Sequence, residues 1–386
     1  MKLSDVGEFG FIARFSPAFL RELPEGVRGI GDDCAVIPPE APDVGRTADR
    51  GPVADERVQL VTTDMLVEDV HFLRRRIPAR DLGHKSLAVN LSDVAAMGGT
   101  PSSAYLALAI PADLDVAWLD EFFAGFHELG REARVPLLGG DTTRSPGPLV
   151  IAVTVLGTCR HSHLKLRSAA RTGDVVCVTG WLGDSAGGLR LLTGDGAADA
   201  VPEAAADAVT DAAADAVPEA AADAVTGAAA AGAPDGHAER LVREHHRPRA
   251  HLAEGAWLGA RPGVHAMLDV SDGLDSDCRR VMEQSRCGME IDVEALPISP
   301  ALAAVAARRG WDPRRLAAAG GEDYCLLATV AADAFPAVAT DFARDLGRPL
   351  HAVGRVVDGG DLRYLAAGGD FMLDGRSWDH FGPDHS

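Results

Sequence analysis

The chain is short of basic residues: 37 Lys and Arg stand against 57 Asp and Glu over 386 residues, a formal net charge of −20. That deficit disfavours nucleic acid or an anionic membrane as the main partner. It leaves phosphorylated substrates open, because bound cations can invert the local sign. The six cysteines, Cys34, Cys159, Cys177, Cys278, Cys287 and Cys325, form no C-x-x-C pair and no Cys/His cluster with zinc spacing. They read as scattered core thiols in a reducing cytosol. No apolar run approaches bilayer length. Met1-Lys2-Leu3-Ser4-Asp5 lacks the basic-then-apolar pattern of a signal peptide, so a cytoplasmic protein is expected. Neither a Walker A loop, G-x-x-x-x-G-K-[ST], nor a protein-kinase H-R-D or D-F-G signature occurs. The segment Gly180-Trp181-Leu182-Gly183-Asp184-Ser185-Ala186-Gly187-Gly188 comes nearest to a Walker A loop but lacks the lysine. It reads as a helix N-terminus packed closely on a sheet.

What is present is a set of aspartates beside glycine or at the ends of apolar runs. They stand in Gly31-Asp32-Asp33, Thr62-Thr63-Asp64, Ser92-Asp93, Gly139-Gly140-Asp141, Asp269-Val270-Ser271-Asp272-Gly273 and Gly321-Glu322-Asp323. Carboxylates placed where strands give way to turns can converge on one point, and there they need a counter-charge. Hard oxygen ligands suit Mg²⁺, which commonly works together with substrate phosphates. The pattern points to Mg²⁺-dependent phosphoryl transfer. Each motif alone is weak. Thr62-Thr63-Asp64 is also an ordinary strand end, and Asp269 to Gly273 could cap a helix as easily as bind metal. Gly139-Gly140-Asp141 reads as a turn whose backbone can approach a ligand. His71 suits either a substrate contact or the closing of a loop.

Length and a composition of 47% hydrophobic and 24% charged residues fit two globular domains. Strands are expected at Val58–Thr63, Ser103–Ile110, Leu149–Gly157, Asp174–Thr179, Val264–Asp269, Tyr324–Val330 and Leu350–Val357. Helices are expected at Asp81–Met97 and Val116–Ala133. The first half thus runs roughly β-β-α-β-α-β-β, and the chain divides into residues 1–157 and 158–386. The helix Asp81–Met97 is apolar on most faces and should be buried, yet Ser86, Asn90 and Asp93 form a polar stripe along it. An ionised Asp93 inside a core requires a partner, which favours a site over a satisfied core network.

One stretch stands apart. Between Arg190 and Arg240 there is no Lys or Arg, and there are ten carboxylates. Val201-Pro202-Glu203 returns sixteen residues later as Val217-Pro218-Glu219. Valines every eight residues drift by roughly 80° each time on a helix, so no apolar stripe forms. Residues 194–236 read as a low-complexity acidic insertion at the surface, against the sharper alternative of a partner-binding arm. A second polar insertion runs from Pro38 to Arg57.

Taken together, certain motifs resemble those of the thiamine-monophosphate kinases, in the superfamily of aminoimidazole ribonucleotide synthetase and selenophosphate synthetase. They are Gly29-Ile30-Gly31-Asp32-Asp33-Cys34-Ala35, Thr63-Asp64, Val89 through Gly98, Gly139-Gly140-Asp141-Thr142-Thr143-Arg144, Ser271-Asp272-Gly273-Leu274, Gly320-Gly321-Glu322-Asp323-Tyr324 and Trp378-Asp379-His380-Phe381. The resemblance covers nearly the whole chain outside the two insertions. It implies ATP-dependent phosphorylation of thiamine monophosphate to thiamine diphosphate. It implies an α/β (α+β) fold of two domains, the first ferredoxin-like, of βαββαβ type, and pairing into a barrel in a homodimer. It further implies that Asp33, Thr62, Thr63, Asp64, Asp93, Asp141, Asp269 and Asp272 hold several Mg²⁺ ions. Gly140, Asp141, Arg167 and Ser271 would contact ATP, and His71, Glu322 and Trp378 would contact thiamine phosphate. Family members often carry Ser at the position of Thr62, and they usually have a short link where residues 194–236 lie.

Other enzymes of the superfamily are the alternatives. A hydrogenase-maturation dehydratase is expected to end in a cysteine-bearing tail, whereas this sequence ends Phe381-Gly382-Pro383-Asp384-His385-Ser386. Selenophosphate synthetase needs a reactive Cys or selenocysteine in an N-terminal Gly-rich loop. A non-catalytic nucleotide-binding regulator is the reading from another class, and intact motifs at every metal position weigh against it. Deleting residues 194–236 is expected to leave turnover near normal. A collapse of the steady-state rate would contradict the spacer reading.

Overall fold

The computed structural model describes residues 7–21, 23–39, 56–194 and 236–373. Trp378, nearly all of the acidic insertion and most of the second insertion lie outside the described residues. The first unit comprises α1 (Gly7–Leu20), β1 (Ala35–Ile37), β2 (Arg57–Val67), α2 (Ala79–Ala96), β3 (Thr100–Pro111), α3 (Val116–Ala133), β4 (Leu137–Ser145) and β5 (Val150–Arg160). Its five strands lie in the order β1-β2-β5-β3-β4, with only β3 and β4 parallel. The second unit comprises β6 (Val175–Val178), α4 (Asp184–Thr193), α5 (Gly236–His246), α6 (Leu252–Gly259), β7 (Val264–Asp269), α7 (Leu274–Ser285), β8 (Gly288–Asp292), α8 (Pro300–Arg309), α9 (Pro313–Ala319), β9 (Leu326–Val330), α10 (Phe335–Leu346), β10 (His351–Val357), β11 (Leu362–Ala366) and β12 (Gly369–Asp370). Its sheet runs β12-β11-β8-β10-β6-β9-β7.

The mixed α/β class and the β-β-α-β-α-β-β order agree with the expected alternation. In detail the helices follow β2 and β3 in turn, so the order β2-α2-β3-α3-β4-β5 differs from βαββαβ. Three local expectations are corrected. Thr62-Thr63-Asp64 is not a strand end, because β2 stays paired with β5 as far as Val67. Gly139-Gly140-Asp141 lies within β4 and is not a turn. A Cβ on Gly140 would meet the Leu106 carbonyl at 1.7 Å, so glycine lets β4 lie flush against β3. The strand expected from Tyr324 begins at Leu326, because Tyr324 takes a left-handed backbone with φ +49°.

Alternation in β2 turns Val58, Leu60, Thr62 and Leu66 into the core and leaves Gln59, Thr63 and Met65 exposed. Val58, Leu60 and Leu66 join Leu82, Leu87, Leu91 and Val94 of α2 and Ile151, Val153 and Val155 of β5 in one apolar cluster. α2 is enclosed on nearly every side: it packs on α3, on β2, β3 and β5, and on α6 and β7 of the second unit. Three glycines permit these crossings. A Cβ would meet the Phe122 carbonyl at 1.9 Å from Gly83, the Arg80 carbonyl at 1.8 Å from Gly125, and the Ala95 carbonyl at 2.2 Å from Gly255. α2 is thus the wall shared by both units, and the residues along it are held without slack. Gly125→Ala is expected to destabilise the fold by roughly 3 kcal/mol through overpacking. Gly147→Ala, where a Cβ meets nothing within 4 Å, is the control. Equal urea midpoints for the two variants would contradict the close crossing.

Candidate active site

Four elements deliver carboxylates to the junction of the two units. Asp33 precedes β1, Asp64 lies on β2, Asp93 lies in the last turn of α2, and Asp269 ends β7. Asp33, Asp93 and Asp269 offer oxygens that all lie within 4.8 Å of one another. The Thr62 hydroxyl donates to Asp93 Oδ2, and the Asp64 backbone N–H donates to Asn90 Oδ1 at 3.0 Å. Asn90 and Asp93 of the polar stripe on α2 therefore serve this site. Ser86 does not: its hydroxyl returns to the Leu82 carbonyl at 2.7 Å and is satisfied within the helix.

Burial makes the cluster electrically costly. Desolvation, followed by the charges of Asp64, Asp269 and Asp33, raises the Asp93 carboxyl well above the usual range. Asp269 is raised likewise, by burial and then by Asp33, although Ser92 and Arg167 oppose the shift. Asp64 is pushed up to about 6 by burial and by the charges of Asp272 and Asp33. The cation that meets this centre is Arg167, whose guanidinium grips Asp33 at 2.6 Å and 3.4 Å, while its backbone N–H binds Asp32 Oδ1 at 2.9 Å. One guanidinium cannot neutralise five neighbouring carboxylates. The donors are hard oxygens from side chains, a set that fits Mg²⁺.

Other expected residues fall nearby or elsewhere. Asp272 pairs with Arg280. The Ser271 carbonyl accepts the Glu322 N–H at 2.7 Å. Thr63 points to the opposite face of β2, where its hydroxyl bonds the Val153 carbonyl at 3.1 Å, so that hydroxyl is not brought to the cluster. Gly140 and Asp141 lie on the exposed edge strand β4, and Asp141 Oδ1 accepts the Thr142 N–H at 2.9 Å. His71 Nδ1 accepts the Val67 N–H at 3.0 Å, which closes its own loop. The Gly183 N–H at the start of α4 donates to Asp323 Oδ2 at 2.7 Å, in line with a packing role for the Gly180–Gly188 segment.

Sequence reasoning missed Lys85, His245 and Arg280. Lys85 is fully buried, with Nζ 2.9 Å from Glu322 Oε1, and His245 Nδ1 lies 3.2 Å from Glu322 Oε2. A signal existed. Lys85 and Ser92 are seven residues apart, two turns of α2, and form a second polar stripe. Ser92 Oγ reaches the Tyr324 carbonyl at 3.5 Å, so this stripe faces the loop that carries Glu322.

The chain matches the AIR synthase related protein family over residues 31–159 for its N-terminal domain and 221–365 for its C-terminal domain. It is 34% identical to a thiamine-monophosphate kinase of Escherichia coli K12 over 380 residues, covering 97% of this chain and 98% of that one. The solved structure of AaThiL complexed with AMPPCP and TMP superposes with a TM-score of 0.74 at 27% identity, over 98% of this chain and 99% of that one. A thiamine-monophosphate kinase structure from Stenotrophomonas maltophilia gives 0.65 at 34% identity, over 92% and 96%.

The raised carboxyls fix a sign for pH dependence. Without metal, the folded state keeps protons that an unfolded chain releases near pH 4, so stability falls as pH rises through about 6. Added Mg²⁺ is expected to raise the thermal midpoint by about 4 °C more at pH 8 than at pH 5. Equal shifts at both pH values in scanning fluorimetry would contradict a metal-dependent cluster.

Proposed function

Since the chain belongs to the thiamine-monophosphate kinase family, we propose that it transfers the γ-phosphoryl group of ATP to thiamine monophosphate, giving thiamine diphosphate and ADP. The observation that carries this reading is the buried convergence of Asp33, Asp93 and Asp269, beside Asp64 and Arg167. In this reading Asp33, Asp93 and Asp269 hold Mg²⁺, with Thr62, Asp64 and Asp272 completing the set around several ions. Thr63, whose hydroxyl faces the other side of β2, and Asp141, on the edge strand β4, stand outside it within one chain. Bound Mg²⁺ would screen and polarise phosphate oxygens as two polyanions approach.

The remaining work falls to side chains. The acceptor is a phosphate monoester, already anionic near neutral pH, so no general base is needed. The carboxylates act as a cradle and not as acid or base, and transfer is direct and in line. Arg167 sits on Asp33 and can turn its fork to phosphate oxygens once the carboxylates are otherwise neutralised. Gly140, Asp141 and Ser271 join it in holding ATP, while His71, Glu322 and Trp378 hold the thiamine phosphate.

The reading includes a homodimer. Among the described residues β4 pairs only with β3 and is exposed from Leu137 to Arg144, with Leu137, Leu138, Tyr105 and Phe123 offering apolar surface around it. An open, partly apolar sheet edge favours pairing with a second copy. The reading also places the protein in the cytoplasm. Among the described residues no helix is long and apolar enough to cross a membrane, and the six cysteines are free and buried, as suits a reducing compartment.

Rapid quench with γ-labelled ATP tests the reaction. ADP should form only when thiamine monophosphate is present, with label passing straight into thiamine diphosphate. Label on protein before product, or ADP release indifferent to the acceptor, would overturn the proposal. Asp93→Asn should lower kcat by about 100-fold or more in the same assay.

A further inference from the structure

We propose that Lys85 and His245 are positioning residues that make Glu322 a charge-neutralised hydrogen-bond acceptor, so that this end of the site reads the pyrimidine amine of the acceptor substrate and not its thiazolium charge. This rests on the reading that thiamine monophosphate is the acceptor.

Glu322 is held at both oxygens, Oε1 by Lys85 Nζ at 2.9 Å and Oε2 beside His245 Nδ1 at 3.2 Å. The two anchors come from α2 and α5, one from each unit. Lys85 is wholly enclosed, and its ammonium also donates to the His245 carbonyl at 3.3 Å. His245 is fixed in turn, with Ser185 Oγ 3.0 Å from Nδ1. Burial, then the charges of Lys85 and His246, pushes the His245 imidazole well below its usual range, so it is neutral at physiological pH. The charges of Glu322, Lys85 and His245 therefore sum to zero.

That sum decides what Glu322 can recognise. To neutralise a thiazolium, the carboxylate would have to leave Lys85, stranding an ammonium with no solvent exposure. The thiazolium also carries its charge on a quaternary nitrogen, which has no hydrogen to donate. The pyrimidine end carries an exocyclic amine, which has. Glu322 keeps a quarter of its side chain exposed, enough to accept such a donor while both anchors stay in place. The backbone fixes its direction. The φ angle is +63° at Glu322 and +49° at Tyr324, and the Glu322 N–H is tied to the Ser271 carbonyl at 2.7 Å. Non-glycine residues hold left-handed backbone where the surroundings over-determine it, often at ligand clamps.

The test compares three phosphate monoesters: thiamine monophosphate, its 4-oxo analogue without the amine, and an analogue with carbon in place of the quaternary nitrogen. Wild-type enzyme should discriminate against the 4-oxo compound by about 10-fold or more in kcat/KM. Glu322→Gln should flatten that ratio and leave the ratio for the uncharged ring unchanged. Lys85→Met should raise KM for thiamine monophosphate by about 10-fold, with KM for ATP unchanged. The charge-matched Lys85→Met/Glu322→Gln double variant, which strands no charge, should show the same flattened amine ratio if the single variant misfolds. If Glu322→Gln instead flattens the discrimination by ring charge, the inference is wrong. Absence of wild-type turnover with thiamine monophosphate would remove the acceptor assignment and this inference with it, an outcome distinct from turnover with the wrong discrimination.

Discussion

Carboxylates stripped of water and pressed together are the constraint on which the rest of the structure depends. Asp33, Asp64, Asp93 and Asp269 arrive from four separate elements, so local sequence cannot assemble them. Only the docking of two sheets across α2 does so. Their mutual repulsion opposes that docking, and burial of Leu82, Leu87, Leu91 and Val94 against β2 and β5 must offset it. The fold therefore stores an electrostatic imbalance at the junction of its two units, where the proposed Mg²⁺ would bind. Such storage is a familiar cost of function, since a cluster neutral by itself would have no affinity for metal.

Arg167 shows how far the protein goes toward balancing the site alone. Its guanidinium takes Asp33, and its main chain is fastened at both polar groups: the N–H to Asp32 and the carbonyl to the Ser285 hydroxyl at 2.6 Å. The side chain can thus change partner without its anchor moving. A cation that neutralised Asp33 would release the guanidinium toward other anions. In the proposed reading the same residue would serve as counter-ion before the cation binds and as phosphate ligand afterwards.

Much of this is legible in the sequence because it is periodic or punctuated. Alternation in Val58-Gln59-Leu60-Val61-Thr62 marks β2, and the continuous apolar character of Asp81–Met97 marks a helix enclosed on all sides. A carboxylate on such a helix must have a partner, which singles out Asp93. The misses have physical causes. Gly139-Gly140 carries the composition of a turn, but its glycines serve close strand approach, a tertiary fact that propensity does not register. Tyr324 has the β propensity of a strand residue and is overruled by the left-handed loop that presents Glu322. Lys85 escapes notice because one lysine on a helix ordinarily marks the solvent side. Its spacing from Ser92 becomes informative only once the helix is known to lack a solvent side.

The two stripes of α2 give the site opposite electrostatics at its two ends. One stripe, through Asn90 and Asp93, meets β2 and the acidic cluster, where charge is in excess. The other starts at Lys85, beside Glu322, where the ionic groups cancel, and ends at Ser92, which reaches both the Tyr324 carbonyl and Asp269 of the cluster. Lys85 and Asp93 lie eight residues apart, a rise of about 12 Å along a helix. Because Gly83, Gly125 and Gly255 lock α2 against its neighbours, that separation cannot relax. In the proposed reading a substrate held at Glu322 would have its reacting end placed at a set distance, near the charged end. In-line transfer tolerates little misplacement, since a shift of about 1 Å can cost two orders of magnitude in rate. In the proposed reaction the close-packed glycines at the crossings of α2, Gly83 on α2 itself, Gly125 on α3 and Gly255 on α6, would be part of what aligns the reacting groups.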